Sequence, residues 1–218
     1  MGTTNKLIFF DLDGTLLNTD DRWYQIHKDL AKVYGYIPMG KNEYLRAKKS
    51  NISEEILIQK TNIPKHFVRL YINKRIKIIE SQKYLLLDTV RPGIRNVLAK
   101  IENKYRLILV TKRKKPQNCL NQLKKIHLIQ FFSKILITKQ EEKYTLIQSL
   151  LKTDEIKNGI FIGDTEDDFQ TGEKLHLKTL LVSYGARDRE FIQKLNPHCV
   201  VNSVKDLSRT IEMLFHRQ

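Results

Sequence analysis

The sequence predicts an α/β fold: a parallel sheet with helices on both faces, interrupted by an inserted all-helical segment. Three observations carry that reading. Short apolar runs alternate along the chain with amphipathic stretches long enough for helices. Each run is apolar throughout, as expected of strands covered on both faces. Residues 17–88 break this rhythm with helical periodicity alone, over a stretch too long for a loop in a compact domain.

The first strand is predicted over residues 6–10 and ends abruptly in Asp11-Leu12-Asp13-Gly14. Within the insertion, Trp23, Ile26, Leu30 and Val33 recur at helical spacing, and so do Val68, Ile72, Ile76 and Ile79. Trp23, Tyr24 and the stripe 68–79 are expected to be core. Ser53 before Glu54-Glu55 opens a further helix, with a capping hydroxyl and acidic residues in the first turn. Beyond the insertion, strands are predicted over 106–111, 134–138, 159–163 and 179–183, with a weaker one over 198–201. Helices are predicted over 94–102, 117–125, 141–152, 167–175 and 204–215. The expected division is an α/β core from 1–16 and 89–218, with 17–88 as a helical cap domain, mobile over an active site.

Composition sets the outer bounds. The 218 residues are 41% hydrophobic and 29% charged, which excludes a disordered or low-complexity chain. The longest apolar runs, such as 107–110, are far short of a membrane span, and from residues 1–10, with one lysine and a very short apolar stretch, no secretory leader is expected. Two cysteines, Cys119 and Cys199, are too few for a disulfide scaffold or a cysteine-based zinc site, and both are expected as buried fillers. The six histidines have no metal-site spacing. A cytoplasmic protein without membrane partner is expected. The net charge of +15 comes from 39 basic and 24 acidic side chains and is spread over insertion and core alike. A diffuse surplus speaks against a dedicated nucleic-acid footprint, which should cluster, but it draws in anionic substrates.

Open parallel sheets bind ligands beyond the carboxyl ends of their strands. There the first strand delivers Asp11 and Asp13, the second Thr111, and the fourth Asp164 with Asp167 and Asp168; Lys143 opens a helix just past the third. Carboxylates so gathered repel one another unless a cation sits among them. Oxygen ligands without a His or Cys cluster point to Mg²⁺, which also binds phosphate oxygens. An aspartate nucleophile forming an acyl phosphate splits a hard hydrolysis into two easier steps. Gly14 supplies the turn that lets Asp13 protonate the leaving oxygen and then activate water. Thr111 and a lysine hold the remaining phosphoryl oxygens. Lys139 competes with Lys143 for that role, and Lys143 is favoured because it precedes an apolar helical stripe by one turn.

The motifs Asp11-Leu12-Asp13-Gly14-Thr15-Leu16, Thr111 after an apolar strand, Lys143, and Gly163-Asp164-Thr165-Glu166-Asp167-Asp168 resemble those of the haloacid dehalogenase superfamily, in its phosphatase branch. The resemblance covers essentially the whole chain and implies a Rossmann-like core. It implies Asp11 as nucleophile, Asp13 as acid/base, and Mg²⁺ held by Asp11, the Asp13 main-chain carbonyl and Asp164, with Asp168 closing the shell directly or through water. Asp at position 13 argues against the halide-removing branch. The helical cap, Arg91-Pro92-Gly93-Ile94 and Val182-Ser183-Tyr184-Gly185 resemble the phosphoglycolate phosphatase and β-phosphoglucomutase group.

Two features depart from that group: Lys112-Arg113-Lys114-Lys115 follows Thr111 where Asn or Ser is common, and a Gly-Lys-Pro stretch around the lysine is missing. The basic run reads either as a hydrated loop or as a contact, through Lys112 or Arg113, to a second anionic group of the substrate. The implied activity is a Mg²⁺-dependent phosphatase of small phosphorylated metabolites. The rivals are a phosphomutase, a phosphonate hydrolase needing an imine-forming cap lysine, and a nucleic-acid-binding or regulatory module on the same fold.

Overall fold

The computed structural model describes residues 6–216, so residues 1–5 of the stretch read for a leader lie outside it. The chain divides into two compact units, Met1–Leu17 with Val90–Gln218, and Asn18–Thr89. The first unit begins with β1 (Leu7–Phe10) and leaves through β2 (Leu17–Asn18). The second contains α1 (Asp20–Tyr34), α2 (Lys41–Lys49), α3 (Glu54–Gln59), α4 (Lys65–Ile78) and α5 (Gln82–Leu85). The chain returns through β3 (Thr89–Val90), which pairs with β2. There follow α6 (Ile94–Ile101), β4 (Arg106–Lys112), α7 (Pro116–Lys125), β5 (Lys134–Thr138), α8 (Lys143–Leu150) and α9 (Thr153–Ile156). The chain ends with β6 (Ile160–Gly163), α10 (Glu166–Lys174), β7 (Lys178–Val182), α11 (Arg189–Lys194), β8 (Cys199–Val201) and α12 (Val204–His216).

The first unit is a six-stranded sheet in the order β5-β4-β1-β6-β7-β8, and all its paired strands run parallel. Its apolar runs are continuous because each strand feeds two cores. Ile8 and Phe10 belong to the cluster packed with Leu98, Leu123 and Ile211, whereas Leu7 and Phe9 belong to the one packed with Ile147 and Ile156. That is the period-two alternation of a strand with both faces covered. Deleting a ring such as Phe9, 0% exposed, removes about 3–5 kcal/mol of stability. After β1 the chain adds strands on one side and then, from β6, on the other. The crevice at this reversal lies beyond the carboxyl end of β1.

The predicted helix over 141–152 is shorter than expected. Leu151 is extended (φ −133°, ψ 141°), which ends α8 and lets α9 start afresh. Of the two cysteines expected as buried fillers, Cys119 is buried, whereas Cys199 on β8 is only partly so.

Within the second unit, Ile26, Leu30, Ala31, Val68, Tyr71 and Tyr84 form the main core. Trp23 and Tyr24 are half-buried and pack beside Met39, Tyr44 and Leu57. Two aliphatic positions depart from the expected stripes: Val33 is 64% exposed and Ile76 40%. The inward faces of α1 and α4 are completed instead by His27 and Tyr71, polar side chains that an aliphatic count passes over.

These two belong to a buried polar chain. Met39 N–H donates to His27 Nε2 at 3.0 Å, His27 Nδ1 meets Tyr71 Oη at 3.2 Å, and Tyr71 O–H donates to Glu54 Oε1 at 3.1 Å. Tyr44 O–H adds a bond to Glu54 at 3.0 Å, and Lys48 and Arg75 lie at 3.2 and 3.4 Å. Burial alone would raise the Glu54 carboxyl, but Arg75 and Lys48 outweigh it and hold it low. Burial lowers His27 to about 4, partly opposed by Glu54 and reinforced by Arg75.

The unfolded chain therefore binds a proton at His27 from its ordinary 6.5 downward, whereas the fold refuses it until about 4. Stability is lost as the pH falls through that window, by at most about 1.4 kcal/mol per pH unit from this group. Urea melts at neutral pH and near the lower bound should show this loss in the wild type and a smaller one in His27→Gln. Identical losses in both would contradict the assignment.

Candidate active site

The site lies in the first unit at the carboxyl end of β1. Phe10 pairs with Leu109 of β4 and Ile162 of β6, so Asp11, Thr111 and Asp164 follow on adjacent strands. Asp11 is anchored by its own N–H, which donates to Ile162 O at 2.9 Å. The chain then turns at Gly14 (φ +88°), whose N–H donates to Leu17 O at 2.9 Å. That left-handed conformation suits glycine, and a Cβ here would stand 2.0 Å from Asp164 Oδ2. Gly185 is required for the same close approach, since its Cβ would meet Asp164 Oδ2 at 2.3 Å.

Asp11, Asp164 and Asp168, all buried, bring carboxylate oxygens within 4.8 Å of one another. Lys143, the first residue of α8 and 4% exposed, donates to Asp11 Oδ1 and Asp168 Oδ1, each at 2.6 Å. Asp168 Oδ2 takes three donors from the turn before α10: Asp164 N at 3.1 Å, Thr165 N at 3.1 Å and Thr165 Oγ1 at 2.7 Å. Both oxygens of Asp168 are thus engaged, and this carboxylate fixes the turn and the lysine. Asp164 accepts one bond on each oxygen, from Thr15 Oγ1 at 2.9 Å and Ala186 N at 2.6 Å. A further lone pair on each oxygen can still face a ligand.

The electrostatics follow from this crowding. Burial pushes Asp11 well above the usual carboxylate range; Lys143 opposes the rise, and Asp168 and Asp164 add to it. Burial and Asp168 push Asp164 to about 7, against the bonds from Ala186 and Thr15. Lys143 would be lowered by burial, but Asp11 and Asp168 hold it well above the ordinary lysine value. Fully ionised, three carboxylates against one ammonium would carry two excess negative charges in a space largely closed to water; with burial, that repulsion raises Asp11 and Asp164, and a cation would relieve it. An all-oxygen donor set of that charge fits a hard divalent cation.

Asp13 lies two residues past Asp11, and Thr111 lies in β4, the strand beside β1. Thr111 is 1% exposed and pairs with Ile137 of β5. The basic run divides. Lys112 is exposed and reaches Asp167 Oδ1 at 2.6 Å. Arg113 is buried at 2% and donates to Asp13 Oδ1 at 2.5 Å, so the loop is not simply hydrated. Lys139, the rival to Lys143, is exposed, and among the described residues no ion pair to the three acids is formed by it.

Sequence reasoning gave no role to Thr15 or Ala186, which orient Asp164. Thr15 stood within the first motif and Gly185 within a stretch already singled out, but the bonds they make possible span 149 and about 22 positions.

A parallel α/β sheet with acidic side chains and a lysine at its topological switch point defines the class. Residues 8–182 match the haloacid dehalogenase-like hydrolase family, and the chain belongs to that family. The fold is similar to a haloacid dehalogenase-like hydrolase from Streptococcus pneumoniae (TM-score 0.75, 18% identity, 94% of this chain and 97% of that one). It is also similar to a predicted phosphatase from Clostridium acetobutylicum (TM-score 0.72, 21% identity, 95% and 98%). A predicted phosphoglycolate phosphatase from Haemophilus somnus is similar too (TM-score 0.73, 17% identity, 96% and 99%). At these identities the likeness establishes the fold. No curated protein matches the chain in sequence. Among the described residues no helix is long and apolar enough to cross a membrane.

Proposed function

We propose that this hydrolase is a Mg²⁺-dependent phosphatase of small phosphorylated metabolites, acting through an aspartyl-phosphate on Asp11. The observation that carries the reading is the buried Asp11 carboxylate, bonded by Lys143 and beside Asp164 and Asp168. The core 1–16 and 89–218 performs the chemistry, and the helical insertion 17–88 acts as a cap that selects the substrate. The cytoplasm is the expected compartment, where the free Cys119 and Cys199 stay reduced.

Asp11, the Asp13 main-chain carbonyl and Asp164 would hold Mg²⁺, with Asp168 acting through water because its own oxygens are engaged. When bound, the ion keeps Asp11 ionised despite its burial and offsets charge on the phosphoryl oxygens. Lys143 and Thr111 orient the phosphoryl group. The Asp11 carboxylate oxygen attacks phosphorus as the ester P–O bond breaks. Asp13, which enters this step protonated, gives its proton to the departing alkoxide and is left as the carboxylate that Arg113 faces. Asp13 then takes a proton from the water that attacks the aspartyl-phosphate, releasing inorganic phosphate and restoring Asp11. Lys112 contacts a second anionic group; its exposed pair with Asp167 is weak enough to exchange for one.

The test is a screen of phosphorylated metabolites, following both inorganic phosphate and isomeric sugar phosphates. Phosphate release that stops with EDTA and returns with Mg²⁺ is expected. An isomer accumulating without phosphate would make the protein a mutase, and hydrolysis undiminished by EDTA would refute the metal assignment.

A further inference from the structure

The proposed chemistry asks Asp13 to face the leaving oxygen and later a water, so the direction of its side chain matters as much as its presence. The turn that carries it is pinned twice through the backbone. Gly14 N donates to Leu17 O at 2.9 Å, and Arg91 Nε donates to Gly14 O at 2.8 Å. Backbone pinning leaves the Asp13 side chain, 23% exposed, with its own torsions.

Arg113 addresses those torsions. It stands two residues past Thr111, and its own N–H donates to Thr138 O at 2.9 Å, which fixes its backbone to the end of β5. Its side chain turns inward, 2% exposed, and one nitrogen, Nη2, donates both to Asp13 Oδ1 at 2.5 Å and to Gln122 Oε1 of α7 at 3.3 Å. A guanidinium nitrogen shared between Asp13 and Gln122 holds the carboxylate in one direction, and the planar group is pre-organised for this in a way a flexible ammonium is not. The contrast with its neighbour is informative: Lys112 is exposed and tied to Asp167, so only the second cation of the run is buried against the first motif.

We infer that Arg113 is a positioning residue, setting the Asp13 carboxylate in the direction from which it serves the leaving group. The inference rests on the proposed role of Asp13. Arg113 acts on the chemistry through Asp13, the carboxylate that its Nη2 engages. Its removal should therefore slow the step that needs Asp13 while leaving substrate binding in place.

Arg113→Met and Arg113→Lys are compared with wild type on glycerol phosphate, whose alkoxide needs protonation, and on p-nitrophenyl phosphate, whose phenolate needs it far less. Arg113→Met should lower kcat on glycerol phosphate by about 10–100-fold, the scale of a displaced acid/base group, with KM little changed. The loss on p-nitrophenyl phosphate should be smaller. Arg113→Lys should recover part of kcat. In an Asp13→Asn background, Arg113→Met should add little further loss, since the group it positions is already gone.

Equal losses on both esters, a change in KM alone, or independent multiplication of the two losses would overturn the inference. Thermal melts accompany each variant, and a loss that merely follows unfolded protein would count against it as well. A crystal structure of Arg113→Met reads the same point without turnover: Asp13 should leave its wild-type direction, and an unmoved Asp13 would overturn the inference. A wild type that releases phosphate from no ester in the metabolite screen would instead bring down the phosphatase reading, and the inference with it.

Discussion

Asp11→Asn should fold as the wild type does and lose turnover by about ten thousandfold or more, the loss expected when a covalent route is removed. Asparagine has the shape of aspartate, so the 5% exposed site keeps its packing, and the bond from Asp11 N to Ile162 O is untouched. The amide oxygen can still accept from Lys143. What disappears is the anionic oxygen that attacks phosphorus. A phosphate-release assay on the best substrate, with far-UV circular dichroism to establish folding, checks the result. Retained turnover in the folded variant would remove Asp11 from the chemistry.

Lys143→Met should cost both activity and stability. The ammonium is the cation shared by Asp11 and Asp168, and without it three buried carboxylates face one another. Removing one partner of such a buried charge network costs about 3–5 kcal/mol, and removing one charge from a phosphoryl-holding site costs about a hundredfold or more in kcat. Mg²⁺ should restore part of the melting temperature, since it neutralises the same acids, without restoring kcat. Lys139→Ala, at an exposed position, should change stability by less than about 0.5 kcal/mol. Kinetics and melts of both variants, with and without Mg²⁺, decide the matter. A larger kinetic loss for Lys139→Ala would transfer the role to Lys139.

Local chemistry explains what could be read from the sequence. β1 was legible because four apolar residues buried on both faces leave no alternation, and because Asp11-Leu12-Asp13-Gly14 stops the strand with a turn residue. Asp164 and Asp168 were legible because the turn before α10 is itself local, with Asp168 bonding residues three and four positions back. The same reasoning failed where the partner is distant. Nothing around Arg113 distinguishes it from three neighbouring lysines; its partner Asp13 is 100 positions away. Ile76, expected in the core, and Val33, at the same helical spacing as Ile26 and Leu30, face outward for a different reason: the inward faces of α1 and α4 are finished by His27 and Tyr71, whose polar atoms are satisfied by Met39 and Glu54. Periodicity of aliphatic residues does not register such a core.

The most direct test is chemical trapping. Wild-type enzyme with Mg²⁺ and a substrate is quenched in acid within a single turnover, digested, and its peptides weighed. One phosphoryl group on the peptide carrying Asp11, absent from Asp11→Asn, is the expected result. Inorganic phosphate produced at full rate while that peptide stays unmodified at every quench time would mean that water attacks the substrate directly, and the covalent account would fall.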